Sequence, residues 1–492
     1  MATSTTAATS AANPAAPIAA KRMVMVWTVT LLAVFLVLIL LGLSMRLNQA
    51  GAIDVDDNLF YAIMTLHGLG MAGTLFMGGV VAVWYHAWKY VPMSLGVQKL
   101  IYVLVVAGTV GLVIATLIGK HASGWYMLYP LPFMKTWPAW STLVAIISLI
   151  VLGSAWLLAQ LDLLWAFAKR YGAGRLLAWQ YFTNDHPEGE ELPSFVLIST
   201  VSLFAGAVTT IVGAVVFLLY LAKWFEPSLE FDNLLMKNMV FLFGHTIVNI
   251  TMYLGVAIIY ERFPLYSGRR WYVNRVVAIA WNATLCFILL AFLHHLYMDF
   301  AQPDSLQVLG LVASYLSAVP ATVVTMFGAG LQVYKNDIKW EVAPLAYYLG
   351  MMGWAIGGLA AVLDTTIAIN FYFHNTLWVP GHFHTYFLVG YVLMFLGAFH
   401  EIVAAKAQKY ARIGLLTFVV GGYGVVSMFY LAGVAGVPRR YASYATIPVE
   451  SVASAGQTLA GYASWFVGLV IIGLLIYSLS IISEWKRSWS EA

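Results

Sequence analysis

Twelve apolar runs, each at or above the ~20 residues a helix needs to cross a bilayer, occupy most of this chain and leave little room for any other architecture. They lie near 23–45, 58–86, 99–119, 140–168, 194–222, 233–260, 272–298, 305–333, 343–369, 378–403, 412–438 and 456–482. With 62% hydrophobic and 9% charged residues, the 492-residue chain is too apolar for a soluble fold of its length. The expected fold is an all-α, polytopic membrane bundle of twelve transmembrane helices. Residues 1–20 read as a disordered tail, 21–485 as the helical core and 486–492 as a second tail. The run behind Lys21 and Arg22 is too long for a signal-peptide core and reads as an uncleaved first span.

An even number of spans puts both termini on one side. If that side is cytoplasmic, 18 of the 25 Lys and Arg fall in inner segments, which agrees with the positive-inside rule. The net charge of +4 therefore reflects topology, and no nucleic-acid partner follows from it. One cysteine, Cys286, excludes a disulfide, c-type haem attachment or a thiolate copper centre within the chain. The longest loop, 169–193, carries "DHPEGEE", which reads as a solvated face.

The eleven histidines do not contribute to the hydropathy that defines these spans, so their positions are informative. His86, His121 and His186 fall in or beside loops, and His400 at the inner end of span ten; solvation accounts for all four. Six of the remaining seven converge, His374 standing apart in the loop before span ten. His67 lies about 14 Å in from the outer end of span two, at 1.5 Å per residue. His245 lies at similar depth in span six, His294 and His295 near the outer end of span seven, and His382 and His384 near the outer start of span ten. Ionisable groups within a bilayer are costly, face the bundle interior and mark function. Imidazoles without nearby thiolates, and with few carboxylates, suit Fe, Cu or Zn. Adjacent His294 and His295 can reach one metal, with His245 as candidate third ligand. His382 and His384, two apart on a helix, point to opposite flanks and must serve two centres, with His67 available to complete a six-coordinate haem.

These residues resemble the catalytic subunit of the haem-copper oxidase superfamily, through "LHG" at 66–68, "FGH" at 243–245, "LHHL" at 293–296, "HNTLWVPGHFH" at 374–384 and "GVPRRY" at 436–441. The long motif is most similar to the B-type branch. The resemblance implies that His67 and His384 are axial ligands of a low-spin haem (b or a type), and His382 the proximal ligand of a high-spin haem (b, o or a type). It implies that His245, His294 and His295 hold copper B, and that Arg439 and Arg440 meet the haem propionates. His374 matches a residue near the propionates, but Asn375 stands where a magnesium-binding carboxylate often follows. The implied partners are the bilayer, a gaseous substrate, and a cupredoxin-like copper A subunit or c-type cytochrome as electron donor. The implied location is a prokaryotic plasma membrane, with both termini cytoplasmic and the haem site toward the outside.

One position departs from the pattern. Where oxygen reductases of the A and B branches carry a tyrosine cross-linked to the span-six histidine, this chain has Asn249. Span seven, "WNATLCFILLAFLHH", supplies no tyrosine before its histidine pair either, while Tyr253 and Tyr297 read as packing aromatics. Splitting O₂ takes four electrons at once, of which iron and copper can give three; coupling two NO molecules takes two. The expectation is therefore a nitric oxide reductase, forming N₂O and water, with copper and not iron as the second metal and Asn249 donating a hydrogen bond to bound substrate. The alternative is a B-type terminal oxygen reductase. The inner loop 87–98 lacks a carboxylate and Ile247 replaces a glutamate, leaving a polar path through Thr251, Tyr260, Ser314, Tyr315 and Thr322 as the conceivable proton route.

Overall fold

The computed structural model describes residues 16–189 and 191–491, and the regular elements among them are all helical. Eleven helices are long and apolar enough to span a membrane: α1 (Ile18–Gln49), α2 (Asp57–Ala87), α3 (Leu95–Ile118), α4 (Ala139–Tyr171), α5 (Ser194–Phe225), α6 (Asn233–Ser267), α8 (Asp304–Val333), α9 (Val342–Thr365), α10 (Trp378–Ala404), α11 (Lys409–Val434) and α12 (Glu450–Ser483). The seventh apolar run differs from the single span expected of it. It is α-helical only as α7 (Arg275–Ile288), and the chain then tightens into a 3₁₀ turn, Ala291–Leu296, which carries the histidine pair. A uniform apolar run cannot distinguish the two helical forms, because hydropathy is blind to the ladder spacing.

The helix starts follow local chemistry. Asp56, Ser94, Asp232 and Asn274 each accept a hydrogen bond from the backbone N–H three residues on, while Pro138, Pro193 and Pro303 stand at the caps of α4, α5 and α8. Of the two expected tails, 1–15 lies outside the described residues; α1 already begins at Ile18, and a short helix, Trp485–Glu491, follows α12. Helix α10 is the axis of the bundle, with 89% of its apolar window buried, against 33% for α3 and α8. The outer helices turn residues such as Val103, Val323 and Phe327 outward, as a lipid-facing surface requires.

Three histidine readings need correction. His121 and His400 are completely buried rather than solvated or interfacial, and His86 is nearly so. His121 sits edge-on to Trp137, with Nε2 2.9 Å from the Ser123 hydroxyl: the loop that carries it folds back over the bundle instead of running through solvent. His186 is exposed, as expected.

Candidate redox and metal centre

Helices α2 and α10 bring His67 and His384 face to face, ring centroids 6.4 Å apart and planes only 20° from parallel. Each ring is fixed by its Nδ1–H, which donates to a backbone carbonyl: Leu38 of α1 at 2.7 Å for His67, and Pro380 at 2.8 Å for His384. A ring nitrogen donating in this way leaves Nε2 as a bare lone pair, the state a metal takes. The close approach of α1 needs Gly42, since a Cβ there would stand 3.0 Å from the His67 ring.

On the other flank of α10, His245 from α6 meets His294 and His295 from the 3₁₀ turn. Their ligand atoms all lie within 4.8 Å of one another, the one such group among the described residues. The rings pair at centroid distances of 4.1–5.1 Å. His294 Nδ1–H donates to the Ser314 hydroxyl at 3.0 Å, and that hydroxyl donates to the Gly310 carbonyl at 2.7 Å, so the His294 tautomer is set from α8. His294 Nε2 is then buried without a protein partner, as is His245 Nδ1. Buried polar nitrogens left unpaired are costly, and these two, converging with His295, fit a bound cation.

Asn249 lies against this triad. Its amide Nδ2 donates to the His245 carbonyl at 2.8 Å and stands 3.0 Å from His245 Nε2, which leaves Nδ1 as the ring atom open to a metal. One turn further along α6, Tyr253 packs on Trp281 and Trp354, as read from the sequence, but it also forms part of the wall of the cavity that Asn249 and the triad line.

His382 shares that cavity, and its Nδ1 is also buried and unpaired. Its Nε2 lies 3.7 Å from Asp364 Oδ2. Asp364 is 1% exposed, and neither carboxylate oxygen has a hydrogen-bond partner. The sequence reading passed over this residue, although a lone acid near the end of an apolar span was the available signal. The cavity is continuous from the His67–His384 pair to the triad and holds about 330 Å³, against about 30 Å³ for a liquid water molecule, so it accommodates more than a diatomic gas.

Arg439 and Arg440 line the same cavity. The stretch around them pairs with the start of α10: Thr376 bridges to Pro438, and Asn375 in a left-handed turn (φ 61°) receives the Arg439 guanidinium on Oδ1 at 2.9 and 3.2 Å. Arg440 covers the Tyr126 ring at 4.0 Å. Burial and the neighbouring Arg440 pull Arg439 down to about 9, and burial lowers Arg440 too. Two guanidiniums held this way suit an anionic group such as a pair of carboxylates. His374 is pushed down to about 4, first by burial and then by the positive charges of Arg439 and Lys237, so it is neutral at physiological pH. A third cavity arginine, Arg46, was missed because at the end of α1 it reads as loop charge; it lies over Phe429, which packs on His384.

The hydroxyls of the polar route read from spans six and eight each have a local hydrogen-bond partner. Thr251 and Thr322 bond to their own helix backbones, and Tyr315 pairs with Thr366 of the loop after α9. Tyr260 pairs with Thr325, and Ser314 serves His294.

The family model for cytochrome c and quinol oxidase polypeptide I matches residues 22–475. Quinol oxidase subunit 1 of Sulfolobus acidocaldarius is 26% identical over 443 residues, covering 86% of this chain and 83% of that protein. Cytochrome c oxidase subunit 1 of Cereibacter sphaeroides is 24% identical over 468 residues, covering 86% and 76%. A heme-copper terminal oxidase dimer solved by cryo-electron microscopy shares the fold, with a TM-score of 0.76 at 19% identity over 94% of this chain and 84% of that one.

Proposed function

The chain belongs to the family of cytochrome c and quinol oxidase polypeptide I, oxidoreductases that bind a low-spin haem, a high-spin haem and copper B, and from that premise we propose that it is the catalytic subunit of a respiratory terminal reductase. When bound, the haems and the copper supply the electron relay and the metal pair at which a gas is reduced. His67 and His384 would hold the low-spin haem, His382 the high-spin haem, and His245, His294 and His295 the copper. Arg439 and Arg440 would receive the propionates. The observation that carries this reading is the His245–His294–His295 cluster sharing one cavity with His382, on the opposite flank of α10 from His384.

The names of the relatives support O₂ as the gas, and they move the preference away from the NO expected from Asn249 alone. Within the chain, Tyr253 supports the same reading. It stands in the cavity wall with its hydroxyl donating to the Ser317 carbonyl at 3.4 Å, and can release the electron and proton that iron and copper lack. One observation favours NO reduction as a second reading: an amide, which cannot donate an electron, lies against His245 where the resembled oxygen reductases join a tyrosine. Turnover of NO under anaerobic conditions, followed by O₂ consumption on the same preparation, separates the two. Four-electron O₂ reduction without N₂O is the expected result; N₂O formation with slow O₂ uptake overturns it in favour of NO.

The orientation proposed is both termini in the cytoplasm of a prokaryotic cell, supported by the 18 inner Lys and Arg. Electrons would arrive from a membrane-anchored cupredoxin-like copper A subunit or a c-type cytochrome.

A further inference from the structure

Both helices that present His67 and His384 lose α-helical regularity immediately beyond the histidine. In α2, Met71–Leu75 forms a π turn four residues after His67; in α10, Phe387–Tyr391 forms another three residues after His384. A π turn admits an extra residue, rotates everything beyond it relative to what precedes, and is frequent at functional sites; a third, Ile114–Ile118 at the end of α3, lies away from the cavity. These two are coupled to each other. Phe76 and Phe387, at their adjoining ends, stack at 4.2 Å with planes 13° apart. The Tyr391 hydroxyl, completely buried, donates to the Phe76 carbonyl at 2.5 Å and accepts from the Gly79 N–H at 2.8 Å. Position 79 has to be glycine for this approach, because a Cβ there would stand 2.1 Å from the Tyr391 oxygen.

We propose that Tyr391 is a positioning residue: its hydroxyl locks the two π turns together and thereby holds the His67 and His384 rings in their near-parallel arrangement. The inference rests on the reading of these two histidines as ligands of one haem. Its physical basis is that a π turn leaves backbone groups at its end without their regular partners. The hydroxyl satisfies one carbonyl and one N–H of α2 from a side chain rooted in α10, so neither helix can rotate about its axis without breaking a buried hydrogen bond.

The test uses the full chain purified with its haems, comparing Tyr391→Phe with the unaltered protein and with His384→Ala. The ferric low-spin EPR signal reports the angle between the imidazole planes, and haem transfer to apomyoglobin reports retention. Tyr391→Phe is expected to keep the low-spin haem, change its EPR g values and release it about five- to tenfold faster, the size of one lost buried hydrogen bond. Unchanged g values and unchanged release overturn the proposal. A low-spin signal that survives in His384→Ala overturns the ligand reading, and the proposal with it. Should Tyr391→Phe fail to assemble, Phe387→Leu, which removes the stack and keeps the hydroxyl, is measured in its place. It is expected to keep the low-spin signal and shift its g values, and unchanged g values there overturn the coupling of the two turns.

Discussion

The His67–His384 pair and the His245–His294–His295 triad lie on either side of α10 and are built in opposite ways. In the pair, both Nδ1–H groups donate to backbone carbonyls, the rings are near-parallel, and regular helix runs through both histidines. In the triad, one ring is tied to a serine hydroxyl and another lies against an amide, and two of the three sit on a 3₁₀ turn. On the proposed roles the pair would be a closed site, a metal being held between two rings fixed by backbone hydrogen bonds. The triad would be open, its three rings gathered beside the cavity. Closed sites suit electron relay, which needs unchanging geometry; open ones suit chemistry, which needs a free coordination position.

Four substitutions probe that contrast, from the largest effect to the smallest. Replacing His384 by alanine should remove the low-spin haem and cut turnover by about 100-fold or more, leaving copper in place. The reduced-minus-oxidised spectrum and the haem-to-copper ratio check this, and loss of both metals together would mean that the two sites are not separate. His295→Ala should have the converse outcome: copper falling below about a tenth of its normal content by elemental analysis while the low-spin spectrum is retained. Ser314→Ala leaves the ligands untouched and frees His294 Nδ1–H. Copper should then be held roughly tenfold more weakly in a chelator competition, the lower end of what an outer hydrogen bond to a ligating histidine contributes. The smallest effect is expected at Asn249→Ala, about three- to tenfold in turnover for a lost amide contact. Measured with each gas, it sharpens the comparison further, since a loss confined to NO assigns the amide to substrate and an equal loss with both assigns it to holding His245.

Much of this architecture was legible before any coordinates. The helical bundle follows from apolar run length, a local property, and eleven of the twelve runs are single long helices. The identity of the two flanks of α10 was legible too, because residues two apart on a helix diverge. What was illegible depended on contacts between distant segments. Asp364 is a single acid whose meaning comes from standing 3.7 Å from His382, and Arg46 joins the cavity wall by lying over Phe429 of α11. His121 and His400 read as solvated because the helix ends near them are polar, yet neighbouring elements cover them. The Tyr253 ring was assigned to packing because no linear spacing tells which edge of a helix meets a cavity.

The sequence by itself thus determined that this is an all-helical membrane bundle whose apolar runs carry six histidines inward, with His382 and His384 diverging from one helix. Tertiary structure alone decided how each helix is rotated and where its ladder loosens: the break of span seven into α7 and a 3₁₀ turn, the paired π turns joined by Tyr391, and the placing of Asn249 on His245. The reason is physical. Within an apolar span, turning a helix about its axis changes neither its own hydrogen bonds nor its hydropathy, so only the side chains of the neighbouring helices select the face that looks inward.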